Sequence, residues 1–178
     1  MKFPLHCTGM VSLWLVPMFM TFFSMHGFVA NYNQSGQNLQ WFKPETSRFV
    51  SANVIHLETR TIRYYLDEGA YSETNREQEL DAIRVAFDQW QSVPNTNLHF
   101  EEAGFIKGEP VINLFDNTNM IYWEKESFLV NGELDDIRGF LGLTFRAYFE
   151  DSNLVEADIV FNGMERQWTT DFTNPPFG

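Results

Sequence analysis

The sequence predicts an α/β or α+β fold, in which one long helix packs on a mixed, mostly parallel sheet of about five strands. Apolar residues recur at helical spacing between Thr74 and Gln91. Short stretches rich in β-branched and aromatic residues lie on both sides of this segment. Aromatic residues make up 16% of the 178-residue chain, which is enough material for the core of one domain.

The segment Thr74–Gln91 is the clearest helix in the chain. Its apolar residues share one stripe roughly 120° wide, so we expect all of them in the core: Leu80, Ile83, Ala86, Phe87 and Trp90. Thr74 and Glu77 have the T-x-x-E spacing of a capping box, which predicts that the helix begins there. Pro94 ends the helix soon after Trp90.

The predicted strands lie on both sides of this helix, at residues 60–67, 98–102, 111–115, 140–149 and 154–161. The helix between the first two strands predicts a right-handed parallel unit, and the shorter loops later in the chain allow an antiparallel pair. The apolar run VINLF, Val111–Phe115, is expected to be a central strand. Residues 116–138 then form a long irregular insertion, of a kind that is often functional.

The first 30 residues have the character of an export signal, with Lys2 and His6 before a largely apolar run. An uncleaved membrane anchor is the competing interpretation. Residues 31–59 are a polar lead-in, and 60–178 form the domain. The only cysteine, Cys7, lies inside the signal, so the exported part has no disulfide. We therefore expect a secreted protein, extracellular or periplasmic.

Charge and motif content exclude several functions. The net charge is −12 and no basic stripe is visible, which argues against binding to nucleic acid. The chain has no G-x-S-x-G elbow, and only His56 and His99 follow the signal, without zinc-site spacing. Calcium is a possible ligand, because several carboxylates could supply oxygen atoms: Glu133, Asp135, Asp136, Asp151 and Asp158.

The order of three segments resembles a matrixin-type metallopeptidase domain of the metzincins, most closely the secreted bacterial forms. The segment 62–104 resembles the first strand and helix, with Ile62 and Tyr64 in an I-x-Y strand and an A-F-x-x-W helix end. The segment FLGLTF, 140–145, resembles the edge strand that binds peptide substrate. The segment EADIVFNGMERQW, 156–168, resembles the strand before the active-site helix.

This resemblance implies a zinc endopeptidase whose peptide substrate pairs with the edge strand at Phe140, Leu141, Gly142 and Leu143. It places the zinc-binding motif H-E-x-x-H-x-x-G-x-x-H beyond Trp168, and the sequence to Gly178 does not contain it. Catalytic residues and zinc ligands are therefore expected outside these 178 residues, and this polypeptide is expected to be inactive alone. The alternative is a non-catalytic exported binding domain with the same fold. A less favoured one is a membrane-anchored β-rich protein.

Overall fold

The computed structural model describes residues 6–7, 53–56, 61–94, 99–114, 116–132, 135–149, 154–171 and 173. It confirms the predicted fold class, with one helix packed on a sheet that is mostly parallel. Within the described ranges the elements follow the chain in this order: β1 His6–Cys7, β2 Ile55–His56, β3 Thr61–Leu66, α1 Arg76–Gln91, β4 His99–Phe105, β5 Met120–Glu124, β6 Leu129–Val130, β7 Asp135–Asp136, β8 Gly142–Tyr148 and β9 Leu154–Asn162.

The sheet has seven strands, in the order β1-β8-β9-β5-β3-β2, and β4 also pairs with β3. Strand β3 is parallel to β4 and to β5, and β5 is parallel to β9. Strand β8 runs antiparallel to β9, and the two-residue strands β1 and β2 add antiparallel to β8 and β3. Strands β6 and β7 form a separate hairpin. The two strands that flank α1 in the chain are thus parallel, as the sequence predicts.

Helix α1 covers one face of the sheet through Leu80, Ile83 and Phe87, and Leu80 is fully buried. The Phe87 ring stacks on Tyr64 of β3, with 4.3 Å between ring centroids. The prediction that Trp90 belongs to this core is wrong, because its side chain is 47% exposed. Trp90 lies within the apolar stripe, about 80° around the helix axis from Leu80, but in the last turn of α1, which ends at Gln91.

The start of α1 also differs from the prediction. The helix begins at Arg76 after Asn75, and no side chain caps its first turn. The carboxylate of Glu79, one turn further along, instead accepts hydrogen bonds from the loop before the helix. Its donors are the backbone N–H groups of Tyr71 and Ser72, at 3.0 and 2.8 Å, and the Ser72 hydroxyl at 2.7 Å. This buried carboxylate replaces the capping box expected from Thr74 and Glu77.

The opposite face of the sheet is covered by the connections on either side of β5, from β4 to β5 and from β5 to β8, and this overturns one predicted strand. Residues 111–114 of the VINLF run are not a strand, and the strand in this region is β5, inside the predicted insertion. Ile112 and Leu114 are buried and Val111 is 56% exposed, so burial alternates as it does in a strand. The segment lies over the sheet, where Ile112 and Leu114 pack in one cluster with Tyr122.

Candidate peptide-binding edge

Strand β8 is the outermost of the longer strands on its side of the sheet. Its inner side pairs with β9 from Gly142 to Tyr148, and its outer side pairs with β1 only at Ala147 and Tyr148. No other described strand pairs with the outer side, so the edge from Gly142 to Arg146 has no strand partner in the described part of the chain. An unpaired strand edge offers N–H and C=O groups to an added strand.

The register shows which backbone groups face outward. The N–H of Asn162 donates to the carbonyl of Leu141 at 2.8 Å, so those two residues form a hydrogen-bonded position of the antiparallel ladder. Such positions recur at every second residue, so the ladder to β9 uses alternate residues of β8, starting with Leu143. The N–H and C=O groups of Gly142, Thr144 and Arg146 therefore point to the open edge.

The four residues expected to bind peptide lie at the beginning of this edge, in two environments. Phe140 and Leu141 lie in the turn before β8 and are 37% and 49% exposed. Gly142 and Leu143 are buried in the strand. Gly142 has to be glycine, because a Cβ there would lie 2.7 Å from the carbonyl oxygen of Val160. The outward side chains available to a ligand at this end are thus Phe140 and Leu141.

A buried asparagine holds the turn before β8 in place. The Asn162 side chain donates to the carbonyls of Ile137 and Phe140, at 3.2 and 3.0 Å. Its side-chain oxygen accepts from the N–H groups of Met164 and Glu165, at 3.1 and 3.0 Å. Asn162 is fully buried, so each of these bonds forms without competition from water. Nothing in the sequence indicates this role except the position of an asparagine before Gly163.

Two buried carboxylates of β9, Glu156 and Asp158, accept hydrogen bonds from the connection between β4 and β5 and from the first residue of β5. Asp158 accepts from the N–H groups of Met120 and Asn113, at 2.9 and 3.3 Å, and Glu156 accepts from that of Asn117 at 2.8 Å. Burial, together with the nearby negative charges of Asp158 and Asp116, raises the pKa of Glu156 to about 8. Burial also raises the pKa of Asp158 to about 7, against the lowering effect of its two N–H donors.

The carboxylates considered for calcium are in separate environments. Asp135 accepts a hydrogen bond from the Asn131 side chain at 2.8 Å, and Asp136 is paired with Arg138. Asp158 is fully buried in β9, while Glu133 and Asp151 lie outside the described residues. Within the described ranges, no group of three or more His, Cys, Asp or Glu residues is placed to hold a metal ion.

The two histidines that follow the first 30 residues are closer together than their sequence separation suggests. His56 of β2 and His99 of β4 are both the register partners of Thr61, on its two sides. They still do not provide the three-ligand site of a catalytic zinc.

The N-terminal segment, 1–30, and the lead-in, 31–59, fall mainly outside the described residues. In the described ranges, helix α1 has 16 residues and is not apolar enough to cross a membrane. In comparisons with protein-family models, curated proteins and solved structures, the chain matches none.

Proposed function

We propose that this chain is a peptide-binding domain of the matrixin type, in which an extended peptide pairs with the outer edge of β8. In this proposal it is the substrate-binding part of a secreted zinc endopeptidase. The observation that carries the proposal is the open edge of β8, with the backbone groups of Gly142, Thr144 and Arg146 directed outward. Addition of a strand to such an edge is a recurring way of binding peptides.

The pairing of β1 with β8 supports this proposal. His6 pairs with Tyr148 and Cys7 with Ala147, in antiparallel orientation, on the same side of β8. An extended segment can therefore add to this edge without disturbing the ladder between β8 and β9. A peptide bound along Gly142–Arg146 would continue in the direction in which β1 already pairs.

The resemblance to matrixins supports peptide binding at β8, since residues 140–145 resemble their edge strand. In this sheet β8 is the outermost of the longer strands on its side. The described residues do not fit a catalytic zinc, because no three potential ligands converge and the sequence contains no H-E-x-x-H. We therefore assign no hydrolytic step to them. Their part in the proposed function is to bind and align the peptide.

The second candidate is a non-catalytic exported binding domain. It is favoured by the buried clusters on both faces of the sheet, one beneath α1 and one on the opposite face around Tyr122. A domain with two such clusters has its own core. The DNA downstream of codon 178 separates the two candidates. A nearby H-E-x-x-H in frame, or after one frameshift, supports the peptidase, and unrelated sequence after a clean stop supports the binding domain.

Substitution of Thr144 by proline tests peptide binding at the β8 edge, which both candidate functions share. The Thr144 N–H points to the open edge, so Thr144→Pro removes an outward donor and leaves the ladder to β9 intact. The matched control, Thr144→Val, keeps the N–H and the β-branched shape. Binding of fluorescein-labelled extended peptides to the full chain is measured by anisotropy.

We expect Thr144→Pro to weaken peptide binding by about tenfold or more, because one hydrogen bond is lost and the ring obstructs the edge. Thr144→Val should bind as the unchanged protein does. Circular dichroism checks that both variants keep the fold. Equal binding by Thr144→Pro and the unchanged protein would show that peptides do not use this edge. Cleavage of casein by this polypeptide that a chelator abolishes would contradict its expected inactivity.

A further inference from the structure

Arg146 on β8 is unusual among the arginines of this protein. Six arginines lie in the described ranges, and the other five have polar or charged partners. Arg146 makes no hydrogen bond or ion pair with any described residue. Its Nε is buried without a hydrogen-bond partner, as is that of Arg166, but Arg166 has a partner at another nitrogen. This is unexpected in a chain with 24 acidic and 12 basic residues. Unpaired buried polar groups are rare and call for an explanation.

The register places the Arg146 side chain next to the proposed peptide. Arg146 is opposite Ala157, and Thr144 is opposite Ile159, so these side chains share one face of the sheet. Ile159 is in turn opposite Ile121, which packs beneath α1. Arg146 therefore lies on the α1 face, where the small side chain of Ala157 beside it leaves room. All four residues of this patch are only half-buried: Thr144, Arg146, Ala157 and Ile159.

A strand added to the edge would bring a side chain close to this guanidinium. Residues directly opposite each other on antiparallel strands have Cβ atoms about 5 Å apart and side chains on the same face. The backbone of Arg146 faces outward, so one peptide residue would lie directly opposite it. The pairing of β1 with Tyr148, two residues further along, shows the same arrangement for an antiparallel strand.

We propose that Arg146 makes this edge selective for peptides with an acidic side chain at the position opposite it. The planar guanidinium can donate two parallel hydrogen bonds to one carboxylate. The inference rests on the proposed peptide-binding function of β8 and adds the chemistry of the preferred ligand. Burial lowers the pKa of Arg146, because its charged guanidinium is partly removed from water. A partly dehydrated cation without a counter-ion gains more from an added carboxylate than an exposed one does.

The test compares two fluorescein-labelled peptides of about ten residues, which is a long enough strand for this edge. One carries a central Asp and the other a central Asn in the same neutral sequence. The full chain and three variants, Arg146→Gln, Arg146→Lys and Arg146→Glu, are titrated with each peptide at two salt concentrations. A third peptide with a central Lys is included for the charge-reversed variant. Thr144→Pro serves as the control for edge binding.

We expect the unchanged chain to bind the Asp peptide about three- to tenfold more tightly than the Asn peptide, with a preference that salt reduces. Arg146→Gln should lose this preference and keep its affinity for the Asn peptide. Arg146→Lys should keep part of the preference, since a lysine retains the charge but not the two-pronged geometry. Arg146→Glu should prefer the Lys peptide, a gain that a misfolded variant could not show.

Two outcomes would overturn the inference, and they are distinguishable. If the Asp and Asn peptides bind equally and Thr144→Pro abolishes both, then peptides use the edge but Arg146 does not select among them. If no peptide binds, or Thr144→Pro has no effect, then the proposed function fails and the inference fails with it.

Discussion

The buried carboxyl of Glu156 allows a quantitative prediction about stability and pH. Its pKa is raised from 4.5 to about 8 by burial and by the neighbouring Asp158 and Asp116. The folded state therefore holds the proton more tightly than the unfolded state. Stability from this group is fully present below about pH 4.5 and is lost as the pH rises through about 8. Asp158, with a pKa of about 7, acts in the same direction.

Replacement of Glu156 by glutamine should remove this pH dependence. In the unchanged chain the N–H of Asn117 donates to a Glu156 oxygen at 2.8 Å, and the glutamine oxygen can accept the same hydrogen bond. At about 1.4 kcal/mol per pKa unit, the full shift corresponds to about 5 kcal/mol. Glu156 and Asp158 lie close together, so part of this shift belongs to the pair and not to Glu156 alone. We therefore expect the unfolding free energy of Glu156→Gln to exceed that of the unchanged chain by about 2–5 kcal/mol at pH 9.

The assay is urea unfolding, followed by tryptophan fluorescence, of the unchanged chain and the variant between pH 5 and 9. The difference in unfolding free energy should be small at pH 5 and grow through pH 7–8. Glu126→Gln, an exposed position, controls for the loss of one charge from an acidic protein. Parallel pH profiles for the unchanged chain and Glu156→Gln would refute the assignment of a raised pKa to this carboxyl.

Three further substitutions test the packing that supports the edge. Asn162→Ala should lower the unfolding free energy by about 2–4 kcal/mol, because buried backbone groups lose their partners, and should speed amide exchange in the turn before β8. Gly142→Ala should lower the melting temperature by an amount equivalent to about 1–3 kcal/mol, since its Cβ would lie 2.7 Å from the Val160 oxygen. The Arg84–Glu102 pair, with N–O distances of 2.6 and 2.9 Å, should show a coupling of about 1 kcal/mol in a double-mutant cycle.

Local patterns were sufficient to predict the elements whose burial follows from periodicity. The helix stripe at Leu80, Ile83 and Phe87 and the alternation in β3 correspond to buried faces in the structure. The strands at 140–149 and 154–161 were predicted to within a few residues for the same reason. Together with the helix between parallel strands, these features determine the fold class.

The errors arose where tertiary contacts decide the structure. The run Val111–Phe115 has the alternation of a strand, but no neighbouring strand pairs with its described residues, which cover the sheet instead. Met120–Glu124 was missed because four of its five residues are buried, so it shows no alternation. The Asn162 contacts at the candidate site join residues that are 22 and 25 positions apart. No local pattern encodes such contacts.

The two edges of the sheet, at β4 and at β8, differ in their suitability for pairing with another chain. At the β4 edge, the register shifts between Tyr64 and Tyr65 where Gly104 has a φ of 126°, and the exposed Glu101 adds charge. Bulges and charged side chains are devices that block edge-to-edge pairing. The β8 edge has no bulge between Gly142 and Arg146, and its register shift lies further along, at Ala147 and Tyr148. Its single charged side chain in this stretch is Arg146.

This asymmetry connects the fold to the proposed function. An exposed edge without protection is a risk of aggregation unless it has a ligand. On β8 the stretch without a bulge or a described strand partner coincides with the outward N–H and C=O groups and with the arginine that has no ion-pair partner among the described residues. Arg146 adds a further requirement, because a neutral strand that pairs there leaves its guanidinium without a counter-ion. The edge can therefore accept a strand and still discriminate against neutral ones.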